Sequence, residues 1–291
     1  MFEQLIIQII LFGTIQACVY ALLAIGFTLV YGVGGILNLA HGAFYMLAGY
    51  FLFWFYRIVG MPFAMLIALI LITGVGAVIY LTLVKHLQDR EIGIVLITFA
   101  LGFFIQQFIS VIGGTKNHTT ATIIPGSTSL FGVVFETQDL IIIFASLIVV
   151  AAIAIFIKKS KLGKSIRAVA QDKEGAMLSG INANRVLLYT FMLSALLAGV
   201  AAVLYVPSAA IYTNMGWDML VNAFAVVVLG GLGSIRGSVI AAFIIGYTQN
   251  LVINLISPSL SGVMFLANIE DNLKSFLPSV IMKYSIVMIL S

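Results

Sequence analysis

Lys158–Arg185, KKSKLGKSIRAVAQDKEGAMLSGINANR, decides the fold: it is a basic island in a chain that is otherwise almost uniformly apolar. Lys158, Lys159, Lys161, Lys164, Arg167, Lys173 and Arg185 make up half of the 14 Lys and Arg in the chain, and Asp172 and Glu174 add two acids. A Lys, Arg or Asp at the centre of a membrane helix costs about 2.5–3.5 kcal/mol, so these charges together would cost more than about 20 kcal/mol in lipid. The island therefore lies in water. Around it, 62% of the 291 residues are hydrophobic and only 8% are charged, with a mean hydropathy of +1.19. Soluble domains carry about 25% charged residues, and a soluble chain of this length has too little interior to hide so much apolar surface. Uncharged runs such as Leu140–Ile157 must satisfy their own backbone in lipid, which a helix does and an open sheet edge does not. The fold class is thus all-α, a polytopic integral membrane protein.

A span takes about 20 apolar residues. Segments of that kind fall near 5–31, 36–56, 61–84, 92–112, 138–157, 186–206, 217–235, 237–256 and 276–291. They give one transmembrane domain, 1–291, of eight to nine helices, with the loop 158–185 on one side and a Gly-, Thr- and Ser-rich connection, 113–137, on the other. Lys and Arg in short loops favour the cytoplasm. Placing the island inside brings Lys85, Arg90 and Arg236 inside with it, and leaves Arg57, Lys116 and Lys274 outside. The N-terminus is then expected outside a plasma (cytoplasmic) membrane. No Lys or Arg precedes the first apolar stretch and no small-residue cleavage pattern follows it, so it reads as a span and not as a removable signal. The last segment is short, contains Lys283 and stops at Ser291 without a polar tail, from which a truncated chain or a variant end is expected. Asn117-His118-Thr119 matches a glycosylation sequon, read as a chance occurrence. Cys18 is the only cysteine, so no internal disulfide forms.

Two glycine-rich breaks interrupt the apolar sequence. One is Tyr31–Gly42, with Gly34, Gly35 and Gly42 beside the polar Asn38 and His41. The other is Leu229–Gly237, with Gly230, Gly231, Gly233 and Gly237 beside Arg236. Glycine costs about 1 kcal/mol in a helix interior relative to alanine, and broken helices in transporters often border the substrate route. The competing reading is tight helix packing, or simple turns between spans. Gly42 leads to Gly49-Tyr50 and Gly237 to Gly246-Tyr247, a faint sign of two related halves.

Several chemistries are missing. Gly163-Lys164-Ser165 resembles the end of a P-loop, but Lys158 stands where the first glycine belongs and no strand precedes it. His41, His86 and His118 lie in separate segments without metal-ligand spacing. Few acids lie within the apolar segments, so an ion-coupled relay lacks its residues. Asp218, after Trp217, reads as an interfacial N-cap. The net charge of +4 is concentrated in one juxtamembrane loop and does not indicate nucleic acid. The chain is expected to be neither an enzyme nor a holder of metal or cofactor. If it pumps, another chain supplies the energy.

Within the island, Asp172 is placed to cap a short helix reaching Leu178, with Glu174 in its first turn and Gly180 ending it. So short a helix is marginal alone and would show Ala176, Met177 and Leu178 between charged flanks. One reading is a coupling helix that docks on a motor subunit. The other is an amphipathic loop lying on anionic lipid.

Three motifs then carry a resemblance. Arg167-Ala-Val-Ala-Gln-Asp172 with Ala176, Leu178 and Gly180-Ile-Asn182 resembles the coupling loop of LivH-type permeases, the membrane subunits of ABC importers for branched-chain amino acids. Asn38-Leu-Ala-His-Gly42, with Tyr45 and Gly49, is similar to their early signature, and Ala225–Gly237 to their late one. The likeness runs in the same order from about residue 10 to 255. It implies a permease working by alternating access, a second homologous permease, two cytoplasmic ATPases that bind the ATP, and an external solute-binding protein. ATPase coupling would fall on Arg167, Asp172, Glu174, Ala176, Leu178 and Gly180. Asn38, His41 and Tyr45, with Gln106 and Asn222, are the candidates for the substrate path, against a reading of Gln106 and Asn222 as interhelical hydrogen bonders. Gly175 stands where relatives commonly have alanine and Arg236 where they often have proline; the Arg-Pro-x-Gly element of their C-termini is absent. Leucine, isoleucine and valine are the expected cargo. Urea, short amides or another amino acid remain open, as do an uncoupled channel, a secondary transporter and a scaffold subunit.

Overall fold

The computed structural model describes residues 2–87, 90–114, 116–130 and 132–254; the segment read at 276–291 lies outside the described residues. Among these residues, seven helices are long and apolar enough to cross a membrane: Glu3–Gly34, His41–Val59, Met61–Leu87, Ile92–Gly113, Thr137–Lys159, Ala183–Ser208 and Ile235–Asn254. We label the helical elements α1 (Phe2–Gly34), α2 (His41–Val59), α3 (Met61–Ile79), α4 (Lys85–Leu87), α5 (Glu91–Gly113), α6 (Thr137–Lys159), α7 (Lys161–Gln171), α8 (Lys173–Leu178), α9 (Ala183–Tyr205) and α10 (Met215–Gly230), with α11 at Ile235–Asn254. A π-helical turn, Tyr80–Val84, joins α3 to α4. From Thr248 the chain forms a second compact unit; its described part, 248–254, is helical.

In the first unit α1 is the central post. It is apolar almost all round, as a helix enclosed by protein is, and every residue from Ala17 to Val30 is buried. It packs against α6, α7, α9 and α10. Small residues bring the neighbouring backbones close, as in membrane bundles generally. A β-carbon on Gly26 would lie 3.0 Å from the Ser194 carbonyl oxygen, and one on Gly246 would lie 2.7 Å from the Ala17 nitrogen. On α9, Ala195 faces Gly76 and Gly199 faces Ile72 of α3.

Two helices begin inside the bundle instead of at its surface. Gly35, at φ 65°, lets the chain leave α1 and run without helix to α2. Gly102 is midway along the membrane-crossing α5, and a β-carbon on it would meet the Leu39 carbonyl at 3.4 Å. The Leu39 amide donates to Thr98 Oγ1 (3.2 Å), whose hydroxyl is also 2.8 Å from the Ile94 carbonyl. Helix α2 thus starts level with the middle of α5. After α9, the chain turns at Val206–Ser208, and Ile211 exchanges two backbone bonds with His118 (2.9 and 2.8 Å). It then descends to α10. Asn214 accepts a hydrogen bond from Gln106 Nε2, and Trp217 packs on Phe99 with ring centroids 5.3 Å apart. Phe99 and Gln106 flank Gly102 by three and four residues, or about 4.5–6 Å at about 1.5 Å per residue. The N-termini of α2 and α10 therefore meet near mid-depth, with Gly42 against the Gly216 carbonyl.

This geometry corrects three expectations. Residues 36–40 are not helical, so the second span begins at His41. The segment read as 217–235 is the shorter helix α10, below the length of the seven candidate spans and preceded by the non-helical stretch 209–214. Asp218 lies in the first turn of α10, whose N-cap is Asn214, and it sits near mid-depth beside Trp217. The second glycine break is a turn: Gly231 and Gly233 take φ of 87° and 88°, Ser234 Oγ accepts from the Gly237 amide (3.1 Å), and α11 begins at Ile235.

The 113–137 connection holds a hairpin, β1 (Ser127–Leu130) paired antiparallel with β2 (Val133–Glu136). A capping box between Glu136 and Asp139 starts α6. The island is more ordered than expected. Ser160 caps α7 through a 2.8 Å bond from the Gly163 amide. Gly163, Ile166 and Val169 form the buried stripe of α7, while Lys161 and Lys164 face out.

Candidate functional site

The polar residues gather at the mid-depth junction. His41, the first residue of α2, is wholly buried. Its Nε2 lies 3.0 Å from the Leu23 carbonyl of α1, and its Nδ1 lies 3.1 Å from Ser194 Oγ of α9. Phe27 and Phe44 stand edge-on to the ring at 5.8 and 6.3 Å. His41 therefore ties three helices together through both ring nitrogens. Asn38 is 1% exposed; its Oδ1 accepts from the Ala40 amide at 3.2 Å, closing the turn that feeds α2. Asn38 Nδ2 has no hydrogen-bond partner among the described residues. Tyr45 is buried one turn further along α2. These three expected path residues are all buried within the protein interior.

Gln106 and Asn222 behave differently. Gln106 donates to Asn214 across the α5–α10 contact, while its Oε1, in a side chain only 8% exposed, has no partner among the described residues. It lines a small cavity of about 10 Å³ with Leu39, Gly102, Thr213, Gly216 and Trp217. That volume suits about one water molecule, which would satisfy the orphaned amide oxygen. Asn222 is half-buried on the outward side of α10, and its Nδ2 donates to the Asp218 carbonyl at 2.9 Å. The structure thus adds Thr98, Ser194, Asn214 and Asp218 to the polar set. Thr98 and Ser194 gave no sequence signal, because isolated hydroxyls in apolar runs commonly bond their own helix.

The residues expected to meet an ATPase lie on the island. The Asp172 carboxylate accepts from the amides of Glu174 (3.1 Å) and Gly175 (3.0 Å), capping α8 as the sequence implies. Gly180, at φ 83°, ends it; its amide donates to the Met177 carbonyl at 3.0 Å. Arg167 is exposed and reaches the Lys158 carbonyl at 3.3 Å. Leu178 is 90% exposed, whereas Ala176 is only 6% exposed and turns into the protein. The expectation that Ala176 is displayed beside Leu178 is therefore corrected: on this short helix the two positions point to opposite sides. A methyl group at Gly175 would press on the Asp172 carboxylate, so the glycine leaves room for the cap. Below α8, an open groove of about 650 Å³ is lined by Gly32 and Gly35 of the first break, Gly233 and Ser234 of the second, and Gln171 and Lys173 of the island. The α7–α8 corner and both glycine breaks therefore share one surface.

Seven helices among the described residues, long and apolar enough to cross a membrane, packed around a junction of two broken elements and joined to a structured basic platform, are the architecture of a multi-pass membrane protein. The profile of the family described as "Branched-chain amino acid transport system / permease component" matches residues 9–282. The chain belongs to that family. Among its relatives, the high-affinity branched-chain amino acid transport system permease protein BraD of Pseudomonas aeruginosa is 32% identical over 254 residues, covering 81% of this chain and 83% of the relative. The corresponding permease protein LivH of Escherichia coli is 30% identical over 256 residues, covering 82% and 83%. The permease protein LivM of Salmonella typhimurium is 24% identical over 263 residues, covering 80% of this chain and 61% of the relative. No solved structure matches.

Proposed function

We propose that this chain is the translocating permease of an ATP-driven importer for leucine, isoleucine and valine, working in a cytoplasmic membrane with its island inside the cell and its N-terminus outside. It pairs with a second, homologous permease, receives cargo from an external solute-binding protein and draws energy from two cytoplasmic ATPases, which hold the ATP. The chain itself needs no cofactor and no metal. The observation that carries this reading is α8, a firmly capped two-turn helix on a basic platform, displaying Met177 and Leu178 to water. A free apolar knob between charges gains nothing in solution, whereas it gains burial in the groove of a partner. The similarity to BraD and LivH supports the same cargo.

The test is affinity purification of the tagged chain from membranes of cells that also make the neighbouring gene products. A second permease and two ATPases should co-purify in fixed ratio. Recovery of this chain alone under mild detergent, from membranes that contain those proteins, would contradict the proposal.

A further inference from the structure

Asp218 stands in the first turn of α10 with its carboxylate exposed. Asp218 follows Trp217, whose ring rests on Phe99, and lies one turn beyond Asn214, which Gln106 holds. Both contacts bracket the middle of α5, so Asp218 is near the middle of the apolar layer. It is nonetheless exposed on this chain, on the face of α10 that continues through Val221, Asn222 and Ala225. Its described partner is the Tyr212 hydroxyl, which donates to Oδ2 at 2.7 Å. That partner is a neutral hydrogen-bond donor and not a countercharge. A carboxylate at this depth is strongly disfavoured against lipid, and ionisable residues inside membranes face a wet cavity or an opposite charge. The outward face of α10 is thus no lipid face.

We propose that this face borders the translocation route and that the Asp218 carboxylate, steadied by Tyr212, receives the α-ammonium group of a zwitterionic amino acid in transit. This rests on the reading of the chain as an amino acid permease and names the group that meets the cargo. The chemistry is complementary on both parts of the cargo. A charge-assisted bond from an ammonium to a carboxylate fixes one end. Val221, Phe224 and Val228, exposed further along α10, offer an apolar surface to a branched side chain moving towards the basic side. Neutral cargo such as urea could donate a hydrogen bond to the carboxylate but would form no ion pair with it.

The test uses the whole complex, with partner permease, ATPases and binding protein, in proteoliposomes. Uptake of labelled leucine is measured per assembled complex for the wild type, Asp218→Asn and Asp218→Glu. Loss of a hydrogen bond to a charged group corresponds to about a tenfold effect, so Asp218→Asn should lower uptake about tenfold or more, and Asp218→Glu should recover most of it. In parallel, Asp218→Cys in a Cys18→Ala background should react with a water-borne methanethiosulfonate carrying an ammonium group, and leucine transport should slow that reaction. Uptake by Asp218→Asn equal to wild type, or an unreactive Asp218→Cys, overturns the assignment. So does loss of the partner permease from the Asp218→Asn complex, which would make the carboxylate an intersubunit tie. A wild-type complex that carries no amino acid overturns the permease reading as well, whereas equal uptake by wild type and Asp218→Asn overturns only the carboxylate's role.

Discussion

Gly42→Ala should not yield a folded permease. The added methyl would overlap the Gly216 carbonyl and come within 2.7 Å of Leu220 Cβ. Neither obstacle is the flexible end of a side chain. Helix α2 is fixed at that level by His41, bound to α1 and α9, and α10 is fixed by Asn214 and Trp217 against α5. The two helices therefore cannot separate without breaking the junction. Overpacking a tight core costs about 1–3 kcal/mol and more where backbone must move. We expect a loss above about 3 kcal/mol, which ranks with the severe single substitutions. It should appear as loss of the monodisperse species on size-exclusion of detergent extracts. Gly74→Ala is the control. Its β-carbon would meet nothing within 4 Å, and replacing a helix-interior glycine by alanine is neutral or mildly stabilising. A Gly42→Ala protein as stable as Gly74→Ala would mean that the α2–α10 contact is not the fixed point described.

The second large effect concerns coupling. Leu178→Asp should leave insertion and thermal stability unchanged, because the side chain is already in water. It should abolish stimulation of ATP hydrolysis by loaded binding protein and lower transport by at least about tenfold, the scale of an interface anchor lost. Ala176→Asp is a poor probe of the same question. Ala176 packs inward, so its charged replacement would damage this chain before it reached a partner. Normal stimulation and transport in Leu178→Asp would remove α8 from the coupling path.

Much of this architecture is legible in the sequence, for physical reasons that differ by element. Helices α1, α3, α5, α6 and α9 announce themselves because a span must be long and apolar, and composition records both. The α8 cap is legible because Asp172 and Gly180 are residues whose local chemistry matches their positions. Helix α7 was legible too: Leu162, Ile166 and Val169 recur at helical spacing opposite Lys161 and Lys164, yet its lysines draw the eye as topology signals. Depth is what sequence does not encode. Trp217-Asp218 looks interfacial because both residues favour membrane surfaces. Only the non-helical stretch Ala209–Asn214 and the contacts of Asn214 and Trp217 with α5 place them level with the middle of that helix. The same geometry buries His41 and Tyr45, which the sequence places along the route, and leaves Asp218 exposed on α10.

The most direct measurement is ATP-dependent uptake of labelled leucine into proteoliposomes that contain this chain with its partner permease, the two ATPases and the binding protein. Accumulation should require ATP and the binding protein, and should disappear when this chain is omitted. Uptake by this chain alone without ATP, or full ATP-driven uptake in its absence, would contradict the assignment of the chain as the energy-coupled permease.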